Sequence, residues 1–221
     1  MISRRRLLGT TVAITTASVV PSVFATTKPI QPTIGKEMLE VFPPVDFPPR
    51  PILVHDFFAY TCPHCLSFEP IMHEWIESVK NAPDIKVIPV PVAWNETYEI
   101  FPRTYNTFES MGRMSDLHPQ FWEWVVREPH EWNTIQDVEK DIFAWVKKKG
   151  ADVDQFGRLI KSFAVMSKTR QATRTWKNYG IDSTPSIGIA GRFITAPPLA
   201  GTRRGTIDVL NAIIERLRLE R

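Results

Sequence analysis

The 221-residue chain has only two cysteines, and both fall in one four-residue stretch, Cys62-Pro63-His64-Cys65. A zinc site needs about four ligands, and a second cysteine pair to complete one is missing. A structural disulfide at this spacing would close too small a loop to constrain the unfolded chain by much. An excess of one charge is missing too. Three of the 27 basic residues are Arg4, Arg5 and Arg6 at the extreme N-terminus, and without them 24 basic residues face 24 acidic ones. That balance gives no footing for nucleic-acid binding. Repeats, coiled-coil heptads and long disordered tracts are also absent. Apolar residues make up 43% and charged residues 23%, ordinary for a globular chain long enough for one large domain or one domain with an insertion.

No acidic residue precedes Thr26. Three arginines, an apolar stretch from Leu7 to Phe24 and the small-residue site Val23-Phe24-Ala25 read as an export signal over residues 1–25, removed before Thr26. The competing reading is a membrane anchor. The stretch is short for that and diluted by Thr10, Thr11, Thr15, Thr16, Ser18 and Ser22, against the roughly 20 apolar residues of a span. No cysteine stands at the cleavage site, which excludes a lipid anchor there. Ser3-Arg4-Arg5-Arg6-Leu7-Leu8 resembles the twin-arginine export pattern, with a general secretory signal as the alternative.

Residues 26–51 hold seven prolines and predict an extended lead-in with one short edge strand. Ile52 to Tyr60 is a nearly continuous apolar run, suited to a strand buried on both faces and interrupted by Asp56. A helix is expected from Cys62, with Pro63 in its first turn and Phe68, Ile71, Met72, Trp75, Ile76 and Val79 on its buried stripe. Ile85 to Val92 reads as a second strand, irregular or at an edge, because Pro89 and Pro91 each remove a ladder donor. From Trp94 the periodicity turns helical. Thr134 with Asp137 predicts an N-cap box, Lys149-Gly150 a helix end, Asp152 with Gln155 another start, and Gly180 the close of the last helix. Trp122, Trp124, Trp132, Trp145 and Trp176 read as packing residues, and His118 and His130, both beside prolines, as surface or capping residues. Ala190-Gly191 between two short apolar runs signals a hairpin, and a last helix is expected from about Thr206. The order predicts one α/β domain with a helical insertion: residues 26–93, then the insertion at 94–175, then 176–221.

For Cys62 and Cys65 a redox dithiol needs no further ligand, and the local physics favours it. Cys62 sits where a strand ends and a helix begins, so backbone N–H groups and the helix dipole point at its sulfur. Such a terminus is worth at most about 2 kcal/mol, or roughly 1.5 pKa units. His64 adds a further donor or positive charge beside the thiolate. Cys65, one turn on, is expected to be more buried and to act as the resolving thiol. Stabilising the thiolate stabilises the reduced form and makes the disulfide an oxidant.

Asp56-Phe57-Phe58-Ala59-Tyr60-Thr61 leading into Cys62-Pro63-His64-Cys65 and Leu66-Ser67-Phe68-Glu69, followed much later by Tyr179-Gly180-Ile181-Asp182-Ser183-Thr184-Pro185-Ser186, resembles the DsbA family of periplasmic disulfide oxidases. The similarity covers about residues 50–220. It implies a thioredoxin-like fold with an inserted helical domain and a thiol:disulfide oxidoreductase activity. It makes Cys62 the attacked sulfur, Cys65 the resolver and Pro185 a cis-proline facing them, with Thr184 holding a substrate strand through its backbone. Asp56 and Glu69 fall where the family places acids that tune proton movement. Asp56, in an apolar strand, is expected to have a raised pKa and to accept a proton from Cys65, the alternative being a salt-bridged structural acid; for Glu69 the alternative is a solvated helix acid. Two departures stand out. Thr184 replaces the valine of many members, and Pro89 and Pro91 occupy the strand where the family often offers a lysine partner to the buried acid.

The resemblance also implies reduced, newly exported polypeptides as substrates and a quinone-linked membrane oxidase of the DsbB type as the partner that restores the disulfide. No metal and no cofactor beyond the Cys62–Cys65 disulfide is expected. A reductase or isomerase is the rival within the same chemistry, but no dimerisation segment is visible and a monomer is expected. The rival from another class is a metal carrier using Cys62, Cys65 and a histidine.

Overall fold

The computed structural model describes residues 31–220, so the expected export signal and its cleavage site lie outside the described residues. Strand β1 is Leu39–Glu40, β2 is Ile52–Phe58, and helix α1, Pro63–Val79, leads to β3, Ile85–Pro91. Five helices follow: α2 Ile100–Ser110, α3 Met114–Arg127, α4 Ile135–Lys148, α5 Val153–Leu159 and α6 Phe163–Asn178. The chain then returns to the sheet as β4, Ser186–Ile189, and β5, Phe193–Thr195, and ends in a short α7, Pro197–Ala200, and α8, Arg203–Leu219. The sheet order is β1-β5-β4-β2-β3. β2 and β3 are parallel, as the α1 crossover requires, and the other neighbours are antiparallel. A βαβ unit plus a hairpin and helix on one sheet, with a helical block inserted between them, is a thioredoxin-like fold carrying a helical insertion.

β2 is an interior strand and almost wholly buried, which accounts for its unbroken apolar run. β3 is regular over its full length rather than broken by its prolines. Val92 donates its N–H to the Phe58 carbonyl at 2.7 Å, so by alternation Pro89 and Pro91 turn their ring nitrogens to the outer edge, where no ladder donor is needed. The Ala190-Gly191 hairpin forms with both residues at positive φ, 52° and 69°. The second position takes glycine alone, because a Cβ there would lie 2.1 Å from the Val45 carbonyl oxygen.

The expected caps are present. Thr134 and Asp137 form a reciprocal capping box, and Asp152 accepts the Gln155 N–H. α8 begins three residues before the expected Thr206. Thr202 caps it by accepting the Gly205 N–H, while its apolar face, Ile207, Val209, Leu210, Ile213 and Ile214, starts only in the second turn. That face packs with Phe68, Met72 and Trp75 of α1 against one side of the sheet, and Tyr179 and Ile181 cover the other. A third core, rich in aromatic rings, fills the helical block and reaches to Phe58, Tyr60 and Cys65.

Candidate active site

Cys62 stands where the segment after β2 turns into α1. Its backbone is extended, it caps the helix, and its sulfur accepts the Cys65 N–H at 3.3 Å. Pro63 takes the first helical position, where a missing N–H costs nothing. The loop before β4 faces the sulfur from the other side. Its Thr184–Pro185 bond is cis, and the Cys62 sulfur stands 3.3 Å from the Thr184 carbonyl oxygen, to which it donates when protonated. Residues 122 positions apart thus meet across one sulfur, with a backbone carbonyl beside it.

The two sulfurs sit in different surroundings. Cys62 is half-buried, whereas Cys65 is 2% exposed at the margin of the aromatic core. A hydrogen bond from the Cys65 thiol is the largest influence on Cys62. With the Cys65 and His64 backbone N–H groups and the Thr184 side chain it outweighs burial and lowers the Cys62 pKa from 9.0 to about 5. Burial, reinforced by the same pairing, drives Cys65 strongly upward. The reduced pair therefore holds one proton on the inner sulfur and a thiolate on the outer one. The His64 ring is exposed and makes no side-chain hydrogen bond among the described residues, so its contribution to this geometry comes through its backbone N–H.

Asp56 and Glu69 form a second tier. Asp56 is 6% exposed on β2, and burial raises its carboxyl from 3.8 to about 7. Glu69 on α1 is raised to about 8, first by burial and then by Asp56. Among the described residues no cation pairs with Asp56, and the position across the ladder from it is Pro89. The raised pKa expected for Asp56 is present, and Glu69 is a partly buried partner rather than a solvated helix acid.

The expectation that His118 lies on the surface or caps a helix is overturned. Its Nδ1 is 2.6 Å from the hydroxyl of the buried Tyr60, and burial lowers its pKa to about 4. The reason is long-range: α3 lies across the segment that leads into Cys62, and no local pattern in the sequence announces that contact. His130 does act as a cap, with Nε2 3.1 Å from the Trp124 carbonyl at the end of α3.

No protein-family model matches the chain. Among curated proteins it is 33% identical over 172 residues to the thiol:disulfide interchange protein DsbA of Bordetella parapertussis, covering 77% of this chain and 78% of that one. The chain belongs to the DsbA family. A DsbA of Pseudomonas aeruginosa is 27% identical over 187 residues, with 84% and 86% covered. The crystal structure of P. aeruginosa DsbA superposes with a TM-score of 0.74 at 26% identity, over 85% of this chain and 95% of that one. The oxidoreductase DsbA from Xylella fastidiosa, at 20% identity and a TM-score of 0.72, shares the fold. Like its DsbA relatives, this protein is a thiol:disulfide oxidoreductase.

Proposed function

We propose that this protein works in the periplasm, where its Cys62–Cys65 disulfide passes to reduced, newly exported polypeptides. The asymmetry of the two sulfurs carries the reading: an acidic, half-exposed Cys62 beside the Thr184–Pro185 loop, and a buried Cys65 that keeps its proton. A substrate thiolate attacks the Cys62 sulfur, the Cys62–Cys65 bond breaks, and Cys65 leaves with the electron pair and takes up a proton. Asp56 and Glu69, both able to hold a proton near neutral pH, supply it through the interior. A second substrate thiolate then attacks the substrate sulfur of the mixed disulfide and expels Cys62 as the stabilised thiolate. The substrate loses two electrons and the enzyme pair gains them.

Thr184 and Pro185 hold the substrate strand, with Thr184 also steadying the sulfur. His64 stands at the mouth of the site and aims its backbone N–H at the Cys62 sulfur. A quinone-linked membrane oxidase of the DsbB type restores the disulfide, no other cofactor takes part, and the protein acts as a monomer. The N-terminal leader supports a periplasmic address, and among the described residues no helix is long and apolar enough to cross a membrane.

Single cysteine substitutions in cells test the roles. Cys65→Ser is expected to accumulate polypeptides bound covalently through Cys62, whereas Cys62→Ser gives none. Equal adducts from both variants, or none from either, would contradict the assignment.

A further inference from the structure

Tyr60 is two residues before Cys62, and its hydroxyl does not reach solvent: the residue is 1% exposed. The segment around it is tied to the sheet through its backbone. Phe58 accepts the Val92 N–H at 2.7 Å, and Ala59 accepts the Cys62 N–H at 3.0 Å. The Tyr60 side chain points the other way, into the helical block. Its ring meets Phe58, Phe121, Trp122 and His118 edge-on, with centroids 4.8 to 5.7 Å apart. Its hydroxyl is 2.6 Å from Nδ1 of His118, the one polar side-chain bond it makes among the described residues, across 58 residues of sequence.

His118 is held just as firmly. Its ring packs against Tyr105, Trp122 and Phe58 at 5.3 to 5.8 Å. A neutral imidazole fits this place, since burial opposes its charged form. The titratable groups around the joint are Tyr60 and Tyr105, with the Glu69 carboxyl of α1 acting on both, and the Glu109 carboxyl of α2 and Asp56 of β2 acting on Tyr105. Phe58 and Trp122 would fill the same space with apolar contact alone. A short, partly buried, directional bond is added where the chain enters the redox motif.

We propose that His118 is a positioning residue for the redox centre: its hydrogen bond to Tyr60 pins the Tyr60-Thr61-Cys62 segment to α3, so that the inserted helices set where the Cys62 sulfur stands relative to the N–H groups of α1 and the Thr184 carbonyl. The inserted block is then part of the redox machinery and not only a wall beside it. Displacing that segment lengthens the bonds at Cys62, which depend steeply on distance. The inference rests on Cys62 being the reactive thiolate.

The test compares wild type with His118→Phe, Tyr60→Phe, the double variant and His118→Asn. For each, the Cys62 thiolate titration, the rate of disulfide transfer to a reduced peptide and the thermal midpoint are measured. Tyr60→Phe keeps the buried ring and so guards against a variant that fails to fold. Either Phe variant is expected to slow transfer about fivefold, the equivalent of one hydrogen bond, and to raise the thiolate midpoint. The double variant should be no worse than either single one, and His118→Asn, which puts a polar atom near the place of Nδ1, should restore much of the loss. Variants that lose thermal stability but keep the wild-type midpoint and rate would overturn the proposal, as would single effects that add in the double variant. An ordinary thiol midpoint in the wild type would sink the Cys62 assignment, and this proposal with it.

Discussion

Asp56 and Pro89 face each other across the β2–β3 ladder, so the strand beside the buried carboxyl offers it a ring with no charge and no N–H. The carboxyl relieves its burial by keeping its proton, which is why it is held near 7. Folding therefore favours the protonated acid. That stabilisation is fully present below the unfolded pKa near 3.8 and is lost as pH rises through about 7. Asp56→Asn removes the titration. The variant is expected to match wild type near pH 4 and to exceed it at pH 8 by as much as about 4 kcal/mol, read from urea unfolding at a series of pH values. Equal stabilities at pH 8 would mean that the carboxyl is paired or solvated.

Thr184 acts on the sulfurs through its side chain as well as its carbonyl. Thr184→Val removes the hydroxyl and keeps the shape. Losing a bond of about 1 kcal/mol from the reduced form makes the pair less oxidising by about 20 mV, measured against a glutathione buffer. An unchanged potential would leave Thr184 with its backbone role alone.

The exposed His64 ring stands beside a sulfur that its own backbone N–H already stabilises. His64→Leu is expected to raise the Cys62 midpoint and lower the oxidising power, through loss of a polar ring beside the thiolate at the mouth of the site. If both quantities stay at wild-type values, only the His64 N–H contributes.

Gly191→Ala sets a side chain at a positive φ of 69° and against the Val45 carbonyl. A loss of about 2–4 kcal/mol in chemical denaturation is expected, with the Cys62 titration unmoved, because the hairpin lies away from the sulfurs. Wild-type stability would mean that the lead-in segment shifts freely off the hairpin.

What was legible in the sequence was local. The Thr134–Asp137 box, the Asp152 cap and the Ala190-Gly191 turn each join residues at most a few positions apart, and each is where the pattern places it. Cys62 at a helix start was readable because Pro63 follows it and an apolar strand precedes it. The start of α8 was displaced because its cap, Thr202, precedes its apolar face by more than a turn. The outward phase of Pro89 and Pro91 depends on which edge of β3 is free, which is a property of the sheet. The Tyr60–His118 bond was the least accessible, since it joins two elements whose approach is set by the packing of the inserted helices.

The ionisation of Cys62 decides most directly whether this pair is an oxidant. Following the ultraviolet absorbance of the thiolate in the reduced protein as pH is varied isolates it, with Cys62→Ser as the blank. A midpoint at about 5, absent from the blank, is the expected result. A midpoint near the ordinary cysteine value of about 8.5 would contradict an acidified outer sulfur, and with it the reading of this pair as an oxidant.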